Sequence, residues 1–458
     1  MTLKIVNPAN GKLICKLPED TATEVRRKYL AARAAQPTWA RTPMKKRLAA
    51  IARFRELLVT EREALARVLT EEVGKPITQS RNELSGVLGR IDFFLEHTRK
   101  TLRDTVVLKD TSQKLREFIS HEPLGVVANI SAWNYPYFVG TNVFVPALLA
   151  GNSVLYKASE FATLTGREIT RLLHASGVPR NAFVNVVGAG KTGAALLRQP
   201  VDGVFFTGSH ATGVRIARGM AARMIPVQLE LGGKDPVYVC EDADVATAAA
   251  SVADGAFYNT GQSCCSVERI YVHERVYDAF VKAFVAEVSG YRIGDPADER
   301  TYIGPLARAA QLGVLRRQVA DAKKKGARLL LGGKAIPGTG HYFAPTIFAD
   351  AGQDTELMQE ESFGPIIGIS KVANDDQAAR FMNDTRYGLT AGVYSRDERR
   401  AMRVLSAVRS GSAYWNCCDR VSPRLPWSGV GESGMGVTLS IRGIEAFTRT
   451  RAWHLKSA

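Results

Sequence analysis

The segment NSVLYKASEFATLTGREITRLLHASGVPRNAFVNVVGAG, residues 152–190, opens with a short apolar run. It continues through TGREITRLLHAS, where apolar residues recur at three and four spacing, and closes on a second apolar run, NAFVNVV. Apolar run, helical pattern, apolar run is the mark of a strand–helix–strand unit, whose two strands lie parallel in one sheet. The rhythm extends in both directions, through GVVANI (125–130) before it and GVFFTGS (203–209) after it. From DPVYVC (235–240) it resumes with RIYVHERVYDAFVKAFVAEV (269–288), ARLLLGG (327–333) and AGVYS (391–395). Two α/β domains follow.

Around this core, residues from about 21 to 100 repeat apolar positions at helical spacing, as in LAAIARFRELLVTEREALARVLTEEVG, and Gly74 and Pro76 interrupt the pattern. The stretch TVVLKDTSQKLREFISHEP (105–123) alternates apolar and polar residues about a polar turn, so it reads as a hairpin whose edges want a partner. At 458 residues the chain has room for two or three domains. No apolar run reaches the roughly 18 to 20 residues of a membrane helix, and MTLKIVNPANGK lacks a secretory pattern, so a cytoplasmic location is expected. The six cysteines include two vicinal pairs, poorly suited to disulfides, and the seven histidines are scattered, so reduced thiols and no metal site are expected. The formal charge of +16 sits largely on helical patterns such as EVRRKYLAARAA, where a solvated face explains it, and no basic segment is interleaved with aromatics. Nucleic-acid binding is therefore not expected. A positive field would instead favour an anionic cofactor or substrate.

Three motifs carry chemistry. VNVVGAGKTG imitates a phosphate-gripping loop, but Asn185 stands where the first glycine is required. FFTGSHATG places Gly208, Ser209 and Gly213 between a strand and a helix N-terminus, which suits a pyrophosphate and equally suits a plain turn. Glu230 lies between leucines just before Gly-Gly, a setting that raises a carboxyl toward the range of a general base and that equally suits a solvated strand-end Glu. In FYNTGQSCCSVERI (257–270), a thiol after Gly-Gln at a possible helix start would gain thiolate character, although cysteine is also a common buried residue.

Read together with SAWNYP, VLYKASE, EESFGP, DADVATAA, IGPLARAAQ, NDTRYGLTAGVYS and PWSGVGESGMG, in that spacing, the chain resembles the aldehyde dehydrogenase superfamily from end to end. The resemblance implies two Rossmann-like parallel-sheet domains and a small β oligomerisation arm. It assigns residues 1–103 and 123–229 to an NAD-binding domain, 230–436 to a catalytic domain, and 104–122 with 437–458 to the arm of a homodimer or homotetramer. It also implies the chemistry: Cys264 as nucleophile with Cys265 beside it, Asn134 and the Cys264 N–H as oxyanion donors, and Glu230 as the base that activates water against a thioester. Cofactor contacts carried over are Trp133, Lys157, Glu160, Gly208, Ser209, Gly213, Leu231, Glu361 and Phe363. A carboxylate at Glu160 accepts from a ribose 2′-hydroxyl and repels a 2′-phosphate, which favours NAD and leaves NADP as the alternative.

Ala132 stands where the superfamily usually has Pro, Gly431 where Lys is common, and Asn142 with Val143 where many relatives carry an aromatic and a Lys. Tunnel positions by correspondence are Tyr137, Asn142, Cys265, Asp419 and Trp427. Arg420 and Arg424 nearby could clamp a carboxylate, as in a semialdehyde, or belong to a solvated loop. Acylation of coenzyme A, and a silent binding or structural member, are the competing functions. Cys417 and Cys418 are expected on the tunnel loop, where one thiol could trap an oxidised Cys264.

Overall fold

The computed structural model describes residues 1–457; Ala458, the last residue of the expected arm, lies outside the described residues. Helices dominate the opening section. Ala22–Arg41 starts at a capping box in which Thr21 and Glu24 each hold the other's backbone N–H, and Met44–Thr60, Arg62–Val73 and Ile77–Thr101 follow. A two-stranded hairpin, Thr2–Val6 with Leu13–Pro18, precedes them. Its strands are short and mostly exposed; Thr2–Val6 does alternate, with Leu3 and Ile5 turned inward, but over too few residues to stand out in the sequence.

The segment 152–190 folds as read: strand Ser153–Lys157, helix Thr163–Ala175, strand Phe183–Asn185 parallel to the first. These strands belong to a six-stranded sheet in the order Gly434–Met435, Val227–Glu230, Gly203–Thr207, Val126–Ile130, Ser153–Lys157, Phe183–Asn185. Only the short Gly434–Met435 strand runs antiparallel. Because the chain leaves Val126–Ile130 toward one edge and returns on its other side at Gly203–Thr207, the sheet has a topological switch point between these two strands.

A seven-stranded sheet holds Arg328–Leu331, Thr346–Ala349, Ile366–Val372, Val267–His273, Asp235–Val239, Thr390–Tyr394 and Ser412–Trp415 in that order. Asp235–Val239 and Val267–His273 are buried at every residue, as strands covered on both faces must be. The third sheet has three strands: the hairpin Thr105–Asp110 and Leu115–Pro123, with Thr448–Lys456 paired antiparallel along the whole of the latter, from Leu115 opposite Lys456 to Pro123 opposite Thr448. Its free edges are Thr105–Asp110 and Thr448–Lys456, and Val106 and Val107 on the first are exposed. Among the described residues no helix is long and apolar enough to cross a membrane, and no group of three or more His, Cys, Asp and Glu is arranged to hold a metal.

Candidate active site

Helix Val245–Phe257 is followed by a tight turn, Tyr258–Gly261, and the chain then passes Gln262 to Cys265 into the buried strand Val267–His273. No helix begins at Cys264. The sequence-based expectation of a helix-dipole effect on this thiol is therefore overturned: the backbone here leaves a helix instead of entering one. The turn is strained, since Asn259 (φ 53°) and Thr260 (φ 59°) both occupy the left-handed region, a position costing about 1–3 kcal/mol each. Side chains over-determine it. Gln79 Oε1 accepts from the Asn259 N–H at 2.9 Å, the Gly304 N–H donates to Thr260 Oγ1 at 3.0 Å, and Gln262 Oε1 accepts from the Ala307 N–H at 3.0 Å. Gly261 (φ 69°) backs onto the Gly364 carbonyl, where any β-carbon would collide. Cys264 is thus presented half-buried by a turn that cannot relax.

Two other segments converge on it. Asn134 lies beyond the C-terminal end of strand Val126–Ile130, just before helix Pro136–Ala150, and is buried. Its Nδ2 donates one hydrogen to the Gln262 carbonyl at 3.0 Å, and Asn259 Nδ2 donates to the Asn134 carbonyl at 3.1 Å. An amide carries two N–H donors, so one remains for a ligand beside the Gln262–Cys264 turn. Glu230 ends the strand Val227–Glu230, and the four residues after it cross from the first sheet to the second. This crossing packs on the Cys264 backbone: a β-carbon at Gly233 would lie 2.9 Å from the Cys264 carbonyl oxygen. Glu230 Oε1 accepts from Gln228 Nε2 at 2.7 Å and from Thr438 Oγ1 at 2.8 Å, while Oε2 is buried without a partner. Burial pushes this carboxyl up to about 8, against the opposing pull of Thr438, Trp427 and Gln228.

The switch-point crevice gathers a second group. Trp133 follows Val126–Ile130, Lys157 and Glu160 close strand Ser153–Lys157, and Gly208 with Ser209 close Gly203–Thr207. Ser209 is exposed at the start of helix His210–Met220, where no side chain caps the first-turn N–H groups and the Ser209 hydroxyl donates to Thr212 Oγ1. Lys157 is buried and makes no ion pair among the described residues; burial lowers its ammonium while Glu160 and Glu19 act to raise it. A β-carbon at Gly213 would crowd Leu231, so helix and sheet meet closely at this point. Phe363 meets Trp133 edge-on at 5.5 Å, Trp133 meets Phe161 at 6.4 Å, and Glu361 Oε1 accepts from the Gly233 N–H at 3.3 Å. An orphan cation, a carboxylate, an uncapped helix start and an aromatic shelf along one crevice fit a dinucleotide. By contrast, at the VGAGKTG loop the Val187 and Ala189 amides are already spent on the carboxylates of Asp20 and Glu19, which set negative charge where a phosphate would lie.

The tunnel positions divide. Asn142 is buried on Arg90, Cys265 donates to Asp419 Oδ1 at 2.9 Å with Ser263 on the same oxygen at 3.2 Å, and Trp427 lies against Glu230. Tyr137 does not join them. It is enclosed in the helical core with its hydroxyl buried and without a partner, and Tyr135, two residues earlier, stacks on Phe138 at 5.6 Å with the Lys75 ammonium 3.7 Å from its ring centroid. The reason is helical phase: on helix Pro136–Ala150 the site-facing stripe runs through Phe138 and Asn142, four residues apart, and Tyr137 falls off it. Cys418 also turns away, onto Ser251, Tyr394 and Gly255 in the second core, which overturns its expected place on the tunnel loop. Arg420 and Arg424 are exposed. Sequence reasoning took Gln262 only as part of the Gly-Gln turn and missed Asn259, Gln228, Thr438 and Arg90. Of these only Asn259, in an Asn-Thr-Gly turn before the cysteines, carried a local signal.

Comparison with known proteins bears on this arrangement as a whole. A model described as the aldehyde dehydrogenase family matches residues 1–453. A 3,6-anhydro-alpha-L-galactose dehydrogenase of Streptomyces coelicolor is 34% identical over 463 residues, covering 100% of this chain and 94% of that protein. Among solved structures, an NAD-dependent aldehyde dehydrogenase from Sinorhizobium meliloti superposes with TM-score 0.96 at 32% identity, over 100% of this chain and 91% of that one. Lactaldehyde dehydrogenase from Escherichia coli gives TM-score 0.96 at 31% identity, over 100% and 96%.

Proposed function

Because the chain belongs to the aldehyde dehydrogenase family, we propose that it oxidises an aldehyde to the carboxylic acid with Cys264 as nucleophile, Asn134 as oxyanion donor and Glu230 as base. NAD is the cofactor, with NADP as the alternative. The observation that carries this reading is the packing of Gly233 against the Cys264 backbone, which joins base and nucleophile across the two sheets while Gln262 joins the nucleophile to Asn134.

The Cys264 thiolate adds to the aldehyde carbon, and the oxygen left with the charge is held by the free Asn134 N–H and the Cys264 N–H. Such donors contribute about 3 to 4 kcal/mol apiece when charge develops in a dry site. A dinucleotide bound in the switch-point crevice supplies the hydride acceptor. Residues of this chain would hold it through Lys157 and Glu160 at the adenine ribose, Ser209 at the pyrophosphate, and Glu361 with the Phe363–Trp133 shelf at the nicotinamide end. Loss of hydride leaves a thioester on Cys264. Glu230, once ionised, takes a proton from water as that water attacks the thioester, and the acid departs. A buried base is what separates this hydrolytic chemistry from transfer to coenzyme A, which needs no activated water. Acid formed in the absence of coenzyme A, with one reduced NAD per acid, is the test; an absolute requirement for coenzyme A would reject the reading.

The domain reading follows the same lines, with the NAD-binding portion at 1–103 and 123–229, the catalytic portion at 230–436 and an arm at 104–122 and 437–458. The exposed valines on the free edge Thr105–Asp110 favour a homodimer or homotetramer, because pairing with another subunit removes an aggregation-prone edge. Sedimentation at a mass of one chain would count against it. All six cysteines are unpaired, in keeping with a reducing, cytoplasmic setting.

A further inference from the structure

Helix Ile77–Thr101 turns one face toward helix Pro136–Ala150, and on that face stand Glu83 and, two turns later, Arg90. Glu83 is fully engaged: it pairs with the buried Lys75 and accepts from the Tyr137 and Phe138 N–H groups at the start of the second helix. Arg90 is not. Only 6% of it is exposed, its Nη1 donates to Asn142 Oδ1 at 2.9 Å, its guanidinium lies 4.0 Å over the Phe138 ring, and it forms no ion pair among the described residues. The other carboxyl on this side, Asp419, spends Oδ1 on the Cys265 thiol and the Ser263 hydroxyl, and burial pushes it toward the neutral form. Burial lowers Arg90 only to about 10, so it is a full cation at neutral pH, close enough to feel charge on Cys265, on the already paired Glu83 and on Cys264, with no anion in contact with it.

A cation removed from water with one neutral acceptor and an aromatic face is costly unless an anion joins it when the site fills. Its remaining N–H donors form the planar fork that matches a carboxylate. We propose that Arg90 anchors a carboxylate on the substrate, so that this chain acts on an aldehyde bearing an acid group, with Asn142 holding the guanidinium fork in place. This inference rests on the aldehyde-oxidising reading and gives it a substrate class. The anchor is Arg90, which reaches the site from the helical section, and not the exposed Arg420 or Arg424.

The experiment compares short ω-oxo acids with the neutral alkanals of the same length, on the wild-type protein and on Arg90→Met and Arg90→Lys. Wild type is expected to favour the oxo acids. Arg90→Met lowers the ratio of kcat/KM for oxo acid over alkanal by about 100-fold, mainly through KM, and Arg90→Lys restores part of it. An equal fall on both substrates, or an unchanged ratio, overturns the proposal, because a structural or thiol-tuning role makes no distinction between them. A second measurement needs no turnover: glutarate should protect Cys264 from iodoacetamide, read by mass spectrometry, in wild type and not in Arg90→Met. Protection of that kind in a protein that oxidises no aldehyde would keep the anchor while removing the proposed function. Protection that is absent, or that survives in Arg90→Met, would remove the anchor.

Discussion

Replacing Glu230 with Gln separates the base from its shape. The Gln carbonyl can keep both hydrogen bonds now made by Oε1, from Gln228 and Thr438, and an NH2 group replaces the partnerless Oε2. With the carboxyl raised from 4.5 to about 8 by burial, about one molecule in ten is ionised near pH 7 and about nine in ten near pH 9. When thioester hydrolysis limits turnover, the wild-type steady-state rate therefore rises about tenfold over that interval. In Glu230→Gln the first turnover persists, releasing about one reduced NAD per site. The steady-state rate then falls by roughly 10²–10⁴ and loses this pH dependence. Stability moves the other way. The folded pKa lies above the unfolded one, so the stabilisation is fully present below about 4.5 and is lost as pH rises through about 8. The loss is on the order of 5 kcal/mol, at about 1.4 kcal/mol per unit. Glutamine does not titrate, so the variant should gain on the wild type by several kcal/mol between about pH 5 and pH 9 in urea unfolding. A steady-state rate equal to wild type, or a stability difference that is the same at both pH values, refutes the buried-base reasoning.

Cys264→Ala should abolish NAD reduction while Cys265→Ala retains it in large part, as followed at the reduced-nicotinamide absorbance; the reverse pattern would reassign the nucleophile. Asn134→Ala should lower kcat by about 10²–10³, and loss confined to KM would show that the amide serves binding and not the oxyanion. Gly261→Ala meets the Gly364 carbonyl at φ 69°, so thermal unfolding should show at least about 1–2 kcal/mol of destabilisation together with loss of activity; a neutral effect would mean that the turn is not fixed. Glu160→Gln should narrow the preference for NAD over NADP, read as the ratio of kcat/KM for the two cofactors, by removing the repulsion of a 2′-phosphate.

Much of the architecture was legible because burial on both faces of a parallel sheet forces continuous apolar runs, such as NSVLYK and DPVYVC, separated by amphipathic helices. The same constraint made the N-terminal hairpin illegible, since its half-exposed strands face no such demand. Within the candidate site, the residues proposed for catalysis stand out in the chain because they lie in short motifs with Gly or adjacent aromatics: Asn134 in SAWNYP, Glu230 before Gly-Gly, Cys264 after Gly-Gln. A string of aromatics, Tyr135, Tyr137 and Phe138, does not reveal the helical phase that sends the Tyr137 ring into the core and lays Phe138 under Arg90.

What the sequence determined by itself is the family and the two parallel-sheet domains, together with the candidates proposed as nucleophile, base and oxyanion donor, because each depends on local pattern and on residue type. What only the tertiary structure decided is the environment that gives those groups their properties. Glu230 is raised because the packing of separate segments buries it, by more than the hydrogen bonds of Thr438, Trp427 and Gln228 pull it back, and the Cys264 turn stays strained because Gln79, Gly304 and Ala307 brace it. Arg90 came to the site unannounced for the same reason: a polar residue in a helical pattern reads as a solvated face until the packing of two helices removes the solvent.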